Sequence, residues 1–199
     1  RRMNRRNDNR GRGWRRLMGL LAFAGALAML AGWLIDRNGW GALQAQATEG
    51  LEGVRISEVQ NHNALTLPGE GGAGPSWIEL ENTGDAPVSL RGLCLTRDTK
   101  LTKTLVFPDI RMEPGEFLLV YADGKGASAA DGALHAPFRL PKSGAHTLYL
   151  YDSAQRLLDE VDVPVMQADE SFCRNDDDTW VVTAEPTPGR ANTLADRKG

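Results

Sequence analysis

The sequence predicts an all-β sandwich preceded by a single N-terminal transmembrane helix. Short stretches in which apolar and polar residues alternate recur along most of the chain, as in strands with one buried face. Gly, Pro, Asp and Asn punctuate them at short intervals, the pattern of a many-stranded β domain. Ahead of these lies one uncharged apolar run, Leu17 to Ile35, behind an Arg-rich start.

The N-terminal elements follow from charge. Residues 1–16 hold eight Arg against Asp8, a balance of +7 in a chain of net charge −3, which leaves −10 for the remainder. The 19 residues of Leu17–Ile35 would reach about 28 Å as a helix, close to the hydrocarbon thickness of a bilayer. Trp14, Trp33 and Trp40 lie near its ends, where interfacial aromatics belong, and the Arg excess orients the N-terminus to the cytoplasm. The expected layout is a cytoplasmic tail (1–16), a span in contact with membrane lipid (17–35), a linker (36–53) and a domain outside the cytoplasm (54–195). A cleaved signal peptide is the competing reading, since Ala45-Gln46-Ala47 fits a small-x-small cleavage site. Against it, the apolar run exceeds the usual 7–15 residues and ends 12 residues before that site closes. An acidic body is poorly suited to nucleic acid, whose phosphates need concentrated positive charge.

Within the domain, Val54–Val59 reads as the first strand, followed by a polar, Gly-rich insert from Gln60 to Pro75. Trp77-Ile78-Glu79-Leu80-Glu81 then alternates, with Ile78 and Leu80 on the face expected to be buried, and runs into an Asn82-Thr83-Gly84-Asp85 turn. A short strand begins at Gly92–Leu95. Later strand candidates are Thr104–Phe107, Phe117–Tyr121, His146–Tyr151, Leu157–Val163 and Thr179–Thr183. Pro108, Pro137, Pro141 and Pro164 preclude long helices there, and no heptad repeat marks a coiled-coil rod.

Taken in order, these landmarks resemble the lamin tail domain in a bacterial, membrane-anchored form. V-x-I-x-E-V occurs at Val54–Val59 and W-I-E-L-x-N-x-G at Trp77–Gly84. Pro114-Gly115-Glu116-Phe117 feeds a strand, Ser171-Phe172-Cys173-Arg174 follows, and Pro186–Asn192 closes the series. The resemblance spans Val54 to Asn192. It implies an immunoglobulin-like sandwich in which Glu58, Trp77, Glu79, Asn82, Gly84 and Gly115 are structural.

Chemical motifs are sparse. Gly69–Gly74 satisfies G-x-G-x-x-G, but Pro75 and a strand follow where a dinucleotide site needs a helix, so a flexible inter-strand loop is expected. His62 and His135 fall in expected loops, and His146 alternates with Leu148 and Leu150 at the edge of the core. None has metal-motif spacing, and no metal ligand, cofactor site or catalytic residue is expected. Asn175–Asp178 lacks the spacing of a calcium loop and reads as a solvated turn. Glu58 and Glu79 have two readings: paired acids of a glycoside hydrolase, or strand carboxylates that accept hydrogen bonds from loop backbone. Cys94 and Cys173 are the only cysteines and lie in the part expected to be exported, where an even count permits the disulfide expected here and two unpaired thiols are the alternative.

The function expected is a non-catalytic, membrane-anchored module that binds a protein or cell-envelope glycan outside the cytoplasm. An exported hydrolase, or an accessory module of one, is the alternative, and a solvent-open cleft holding both Glu58 and Glu79 would favour it. The resemblance also raises the DNA binding suggested for eukaryotic members, which the −10 balance opposes.

Overall fold

The computed structural model describes residues 51–69, 72–126, 133–175 and 177–192. The expected cytoplasmic tail, membrane span and most of the linker lie outside the described residues. Among the described residues no helix is long and apolar enough to cross a membrane.

After a single 3-10 turn at Leu51–Gly53, twelve strands follow: β1 (Val54–Gln60), β2 (Trp77–Asn82), β3 (Val88–Ser89), β4 (Cys94–Thr96), β5 (Thr104–Val106), β6 (Arg111–Met112), β7 (Phe117–Tyr121), β8 (Leu134–His135), β9 (His146–Tyr151), β10 (Leu157–Val163), β11 (Ser171–Arg174) and β12 (Trp180–Thr183). They form a six-stranded sheet in the order β12-β11-β1-β2-β7-β8, a four-stranded sheet β10-β9-β4-β5 and a small pair β3-β6. Every pairing is antiparallel except β7 with β8. The all-β expectation therefore holds.

The core lies between the two larger sheets. Ile56, Val59, Ile78, Leu80 and Val120 of the larger sheet belong to one buried cluster with Leu95, Leu105, Leu148, Leu150, Val161 and Val163 of the smaller. These strands form because β-branched and Leu side chains at alternate positions fill the space between stacked sheets.

The opposite face of β2 departs from the expectation of one buried face. Trp77 and Glu79 are as inaccessible to solvent as Ile78 and Leu80. Alternation distinguishes apolar from polar positions but does not report a second cover, and here polar groups are buried because each finds a partner. The Trp77 indole donates to Gln60 Oε1 at 2.7 Å, and the Gln60 amide donates to Thr66 Oγ1 at 2.8 Å.

The turn after β2 explains the remaining motif positions. Asn82 donates through Nδ2 to Ala86 O at 3.0 Å and Met112 O at 3.2 Å, while its Oδ1 accepts from the Gly84 amide at 3.0 Å. Gly115 adopts φ +74, a conformation that favours glycine, and its amide donates to Asn82 O at 2.8 Å. One residue thus ties the β2 turn to β6 through its side chain and to the β6–β7 connection through its carbonyl.

The expected disulfide is not formed. Cys94 and Cys173 are both free. Cys94 lies in β4 of the smaller sheet, opposite Val106 and Tyr151, whereas Cys173 lies in β11 of the larger sheet, opposite Glu58 and Val181. Even cysteine count could not reveal that the two strands belong to different layers. Burial raises the pKa of both thiols, that of Cys173 to about 12 with a further contribution from the Glu58 charge, so neither is an activated nucleophile.

Candidate functional site

The outer face of the six-stranded sheet carries two polar constellations. The first is the Glu58–Glu79 pair. A register shift between Ile56 and Glu58 inserts Ser57 as a bulge, so that Ile56 meets Leu80 on the core side while Glu58 is opposite Glu79. Glu58 accepts from Ser171 Oγ at 2.5 Å, from the Thr187 amide at 3.1 Å to each oxygen, and from Thr187 Oγ1 at 3.0 Å. Glu79 accepts from Ser57 Oγ at 2.9 Å and from the Gly189 amide at 2.5 Å. Asn192 completes the closure, donating through Nδ2 to Ser57 O at 3.1 Å and Arg174 O at 2.8 Å.

Both carboxyl groups are fully buried. Burial raises the Glu58 pKa against the pull of its hydrogen bonds, and it pushes Glu79 up to about 7, with the neighbouring Glu58 and Glu81 charges adding to the rise. A glycosidase pair needs a cleft around its carboxylates. This pair is sealed beneath residues 187–192 and hydrogen-bonded to its own chain, the structural alternative weighed from the sequence.

A network of ions closes the edge near β12. Arg55 reaches Glu81 at 2.9 Å and Asp178 at 2.8 Å, and Arg174 reaches Asp178 at 2.9 Å and Asp159 at 2.6 Å. The Asn175–Asp178 run, expected to be a solvated turn, thus places Asp178 between two arginines. Among the described residues no group of three or more His, Cys, Asp and Glu side chains is arranged to hold a metal.

The second constellation is an open cleft of about 650 Å³ between the Leu67–Pro75 loop and the β7–β8 edge. Backbone bonds fix its floor: Ala122 N donates to Ser76 O at 2.7 Å, Ala136 N to Tyr121 O at 2.8 Å and Gly124 N to Ala136 O at 3.1 Å. Asp123 accepts from the Lys125 amide at 3.1 Å, contacts Lys125 Nζ at 3.1 Å, and contacts His135 Nδ1 at 2.9 Å. Burial acts to raise the Asp123 pKa, but the bonds from Lys125 and the pairing with His135 outweigh it and hold the carboxyl below its ordinary range. The Tyr121 and His135 rings pack with centroids 5.5 Å apart.

The two ends of the facing loop are braced. Asn63 donates to Leu67 O at 2.8 Å and Pro75 O at 3.0 Å, and accepts from the Leu67 amide at 3.0 Å. Asp169 Oδ1 accepts from the amides of Ala64, Leu65 and Thr66 at 2.8, 2.8 and 3.2 Å. A side chain at Gly74 would place its Cβ 1.9 Å from Leu67 O, so only glycine fits that approach.

The histidines divide accordingly. His135, expected in a loop, lies in β8 and is buried. His146 begins β9 at the edge of the core, half-buried as expected; burial depresses its pKa to about 4, with the Arg97 charge adding to the effect. Sequence reasoning missed the cleft because Tyr121, Asp123, Lys125, His135 and Arg139 form no motif of known spacing. Only the parallel β7–β8 pairing, with Tyr121 opposite His135, assembles them.

Two sheets packed face to face around one apolar core, joined by short turns, define an immunoglobulin-like β-sandwich. The chain belongs to the lamin tail domain family, whose model matches residues 44–164. No curated protein matches it. β11, β12 and the segment that covers Glu58 and Glu79 lie beyond the matched residues yet complete the larger sheet.

Proposed function

We propose that the protein is a non-catalytic interaction module, anchored in the membrane by Leu17–Ile35 and presenting its β-sandwich outside the cytoplasm to a protein or cell-envelope ligand. The observation that carries the non-catalytic reading is the sealed carboxylate pair: Glu58 and Glu79, the acids weighed as a glycosidase pair, are hydrogen-bonded to their own chain and pin it. Membership of the lamin tail domain family fits a rigid scaffold whose surfaces do the work. The anchoring and orientation rest on the Arg asymmetry around the apolar run.

Protease applied to the outer face of intact cells should digest the sandwich and spare a short membrane-bound stub. A soluble mature domain beginning at Thr48 would instead establish cleavage. Affinity capture by the full chain in detergent, with an activity screen on glycan and ester substrates alongside, tests the rest. Turnover that is lost in Glu79→Gln while the fold persists would replace this reading with the hydrolase alternative.

A further inference from the structure

We propose that the cleft between the Leu67–Pro75 loop and the β7–β8 edge binds an acidic saccharide through its carboxylate, with Arg139 as the principal contact. The inference rests on the reading of the domain as a binding module and assigns that module a site and a ligand class.

Charge supplies the first argument. Beyond residue 16 the chain carries −10, yet among the described residues that line the cleft Lys125 and Arg139 face one acid, Asp123. Asp123 is already engaged by Lys125 and His135. Arg139 packs against Gly124, where an added Cβ would lie 3.2 Å from its Nε, and it makes no ion pair among the described residues. Its backbone is held to that of Asp123 by a β-bridge and its carbonyl accepts from Arg97 at 2.6 Å, so the guanidinium is presented from a fixed base. A planar guanidinium matches a carboxylate through two parallel hydrogen bonds. One uncompensated cation beside a fixed carboxylate suits a ligand group that carries a single negative charge, as each carboxylate of an acidic saccharide does, and disfavours the doubly charged head of a phosphate monoester.

The rest of the lining selects the body of the ligand. Leu67, Pro68 and Pro75 form an apolar wall opposite the charged one, and the Tyr121 hydroxyl has no hydrogen-bond partner among the described residues. A pyranose has an apolar C–H face and a rim of hydroxyls, and so meets both walls at once. An extended peptide is less suited, because strand-like docking requires free backbone donors and acceptors. Here the amides of Ala122, Gly124 and Ala136 are already spent within the fold.

The test is calorimetric titration of the full chain in detergent micelles with digalacturonate, its methyl ester and a diglutamate peptide. Digalacturonate should bind saturably and lose affinity as salt rises. Arg139→Gln should weaken binding about 10-fold or more, the scale of a charge-assisted pair. Lys125→Gln should weaken it less, because that ammonium already faces Asp123. Thermal melts establish that each variant is folded. No saturable binding, equal binding of the methyl ester, or equal binding of diglutamate overturns the proposal. If Arg139→Gln captures the same partners as the wild type while digalacturonate fails to bind, the cleft assignment falls and the binding module stands. If the wild type captures nothing, the module itself falls.

Discussion

Glu79 and Asp123 are carboxylates on two regions of one β-sandwich, and the fold treats them in opposite ways. Glu79 is covered by residues 187–192, receives hydrogen bonds from Ser57 and Gly189 but pairs with no cation among the described residues, and is pushed up to about 7 by burial. Asp123 sits at a cleft mouth, has Lys125 and His135 as partners, and is held below its ordinary range. The difference shows what an acid in this fold is for. Where the surface is sealed, a carboxyl group is a pin for loop backbone. Where it is open, a carboxylate balances cations and leaves one of them available.

The largest effect is expected at the shared foundation: Leu80→Ala, on the core side of β2, should cost about 2–5 kcal/mol in chemical denaturation, the range for a buried leucine. A smaller loss would mean that β2 is less tightly packed than its burial indicates. Next is the sealed acid itself. The folded-state pKa of Glu79 lies above its unfolded value of 4.5, so the native state retains a proton that the unfolded chain has released. Stability should therefore fall as pH rises from about 4.5 to about 7, by up to roughly 3 kcal/mol. This is opposite in sign to the contribution of a carboxylate such as Asp123. Denaturation midpoints measured across that window check it, and a rise in stability through it would refute the contrast.

Glu79→Gln sharpens the same point. The amide keeps an acceptor for Gly189 without a charge to bury, so the variant should remain within about 1 kcal/mol of the wild type at pH 5 and lose the pH slope that Glu79 contributes. A slope that persists unchanged would assign it to Glu58. The smallest effect on stability belongs to the open region: Arg139→Gln should shift unfolding by no more than about 0.5 kcal/mol, as for surface positions, even as it removes the binding predicted for the cleft.

Much of this fold was legible in the alternation of single strands. β7, β9 and β10 occupy the expected ranges, and Ile78 and Leu80 are buried as their spacing requires. The structural role read for Glu58 and Glu79 also emerges, with Thr187 and Gly189 as the backbone donors. What escaped was whatever depends on tertiary neighbours. β3, β6 and β8 have two residues each, too few to display a period. Cys94 and Cys173 are separated by the assignment of their strands to different sheets, which no local pattern encodes. The cleft draws on three segments whose residue types are unremarkable one at a time.

The pins also set a timetable for the chain. Glu58 waits 129 residues for Thr187, and Ser57 waits 135 for Asn192. At ordinary synthesis rates that interval is on the order of ten seconds. During it the two strands that hold the acids can pair with each other but cannot be capped, and contacts so distant in sequence slow folding. A fragment ending at Pro164, the limit of the family match, would lack β11, β12 and every backbone donor to the two acids. Such a fragment should emerge as a sticky, incomplete sandwich with an unpaired β1 edge. The limit of the family model's match is therefore not the limit of the folding unit.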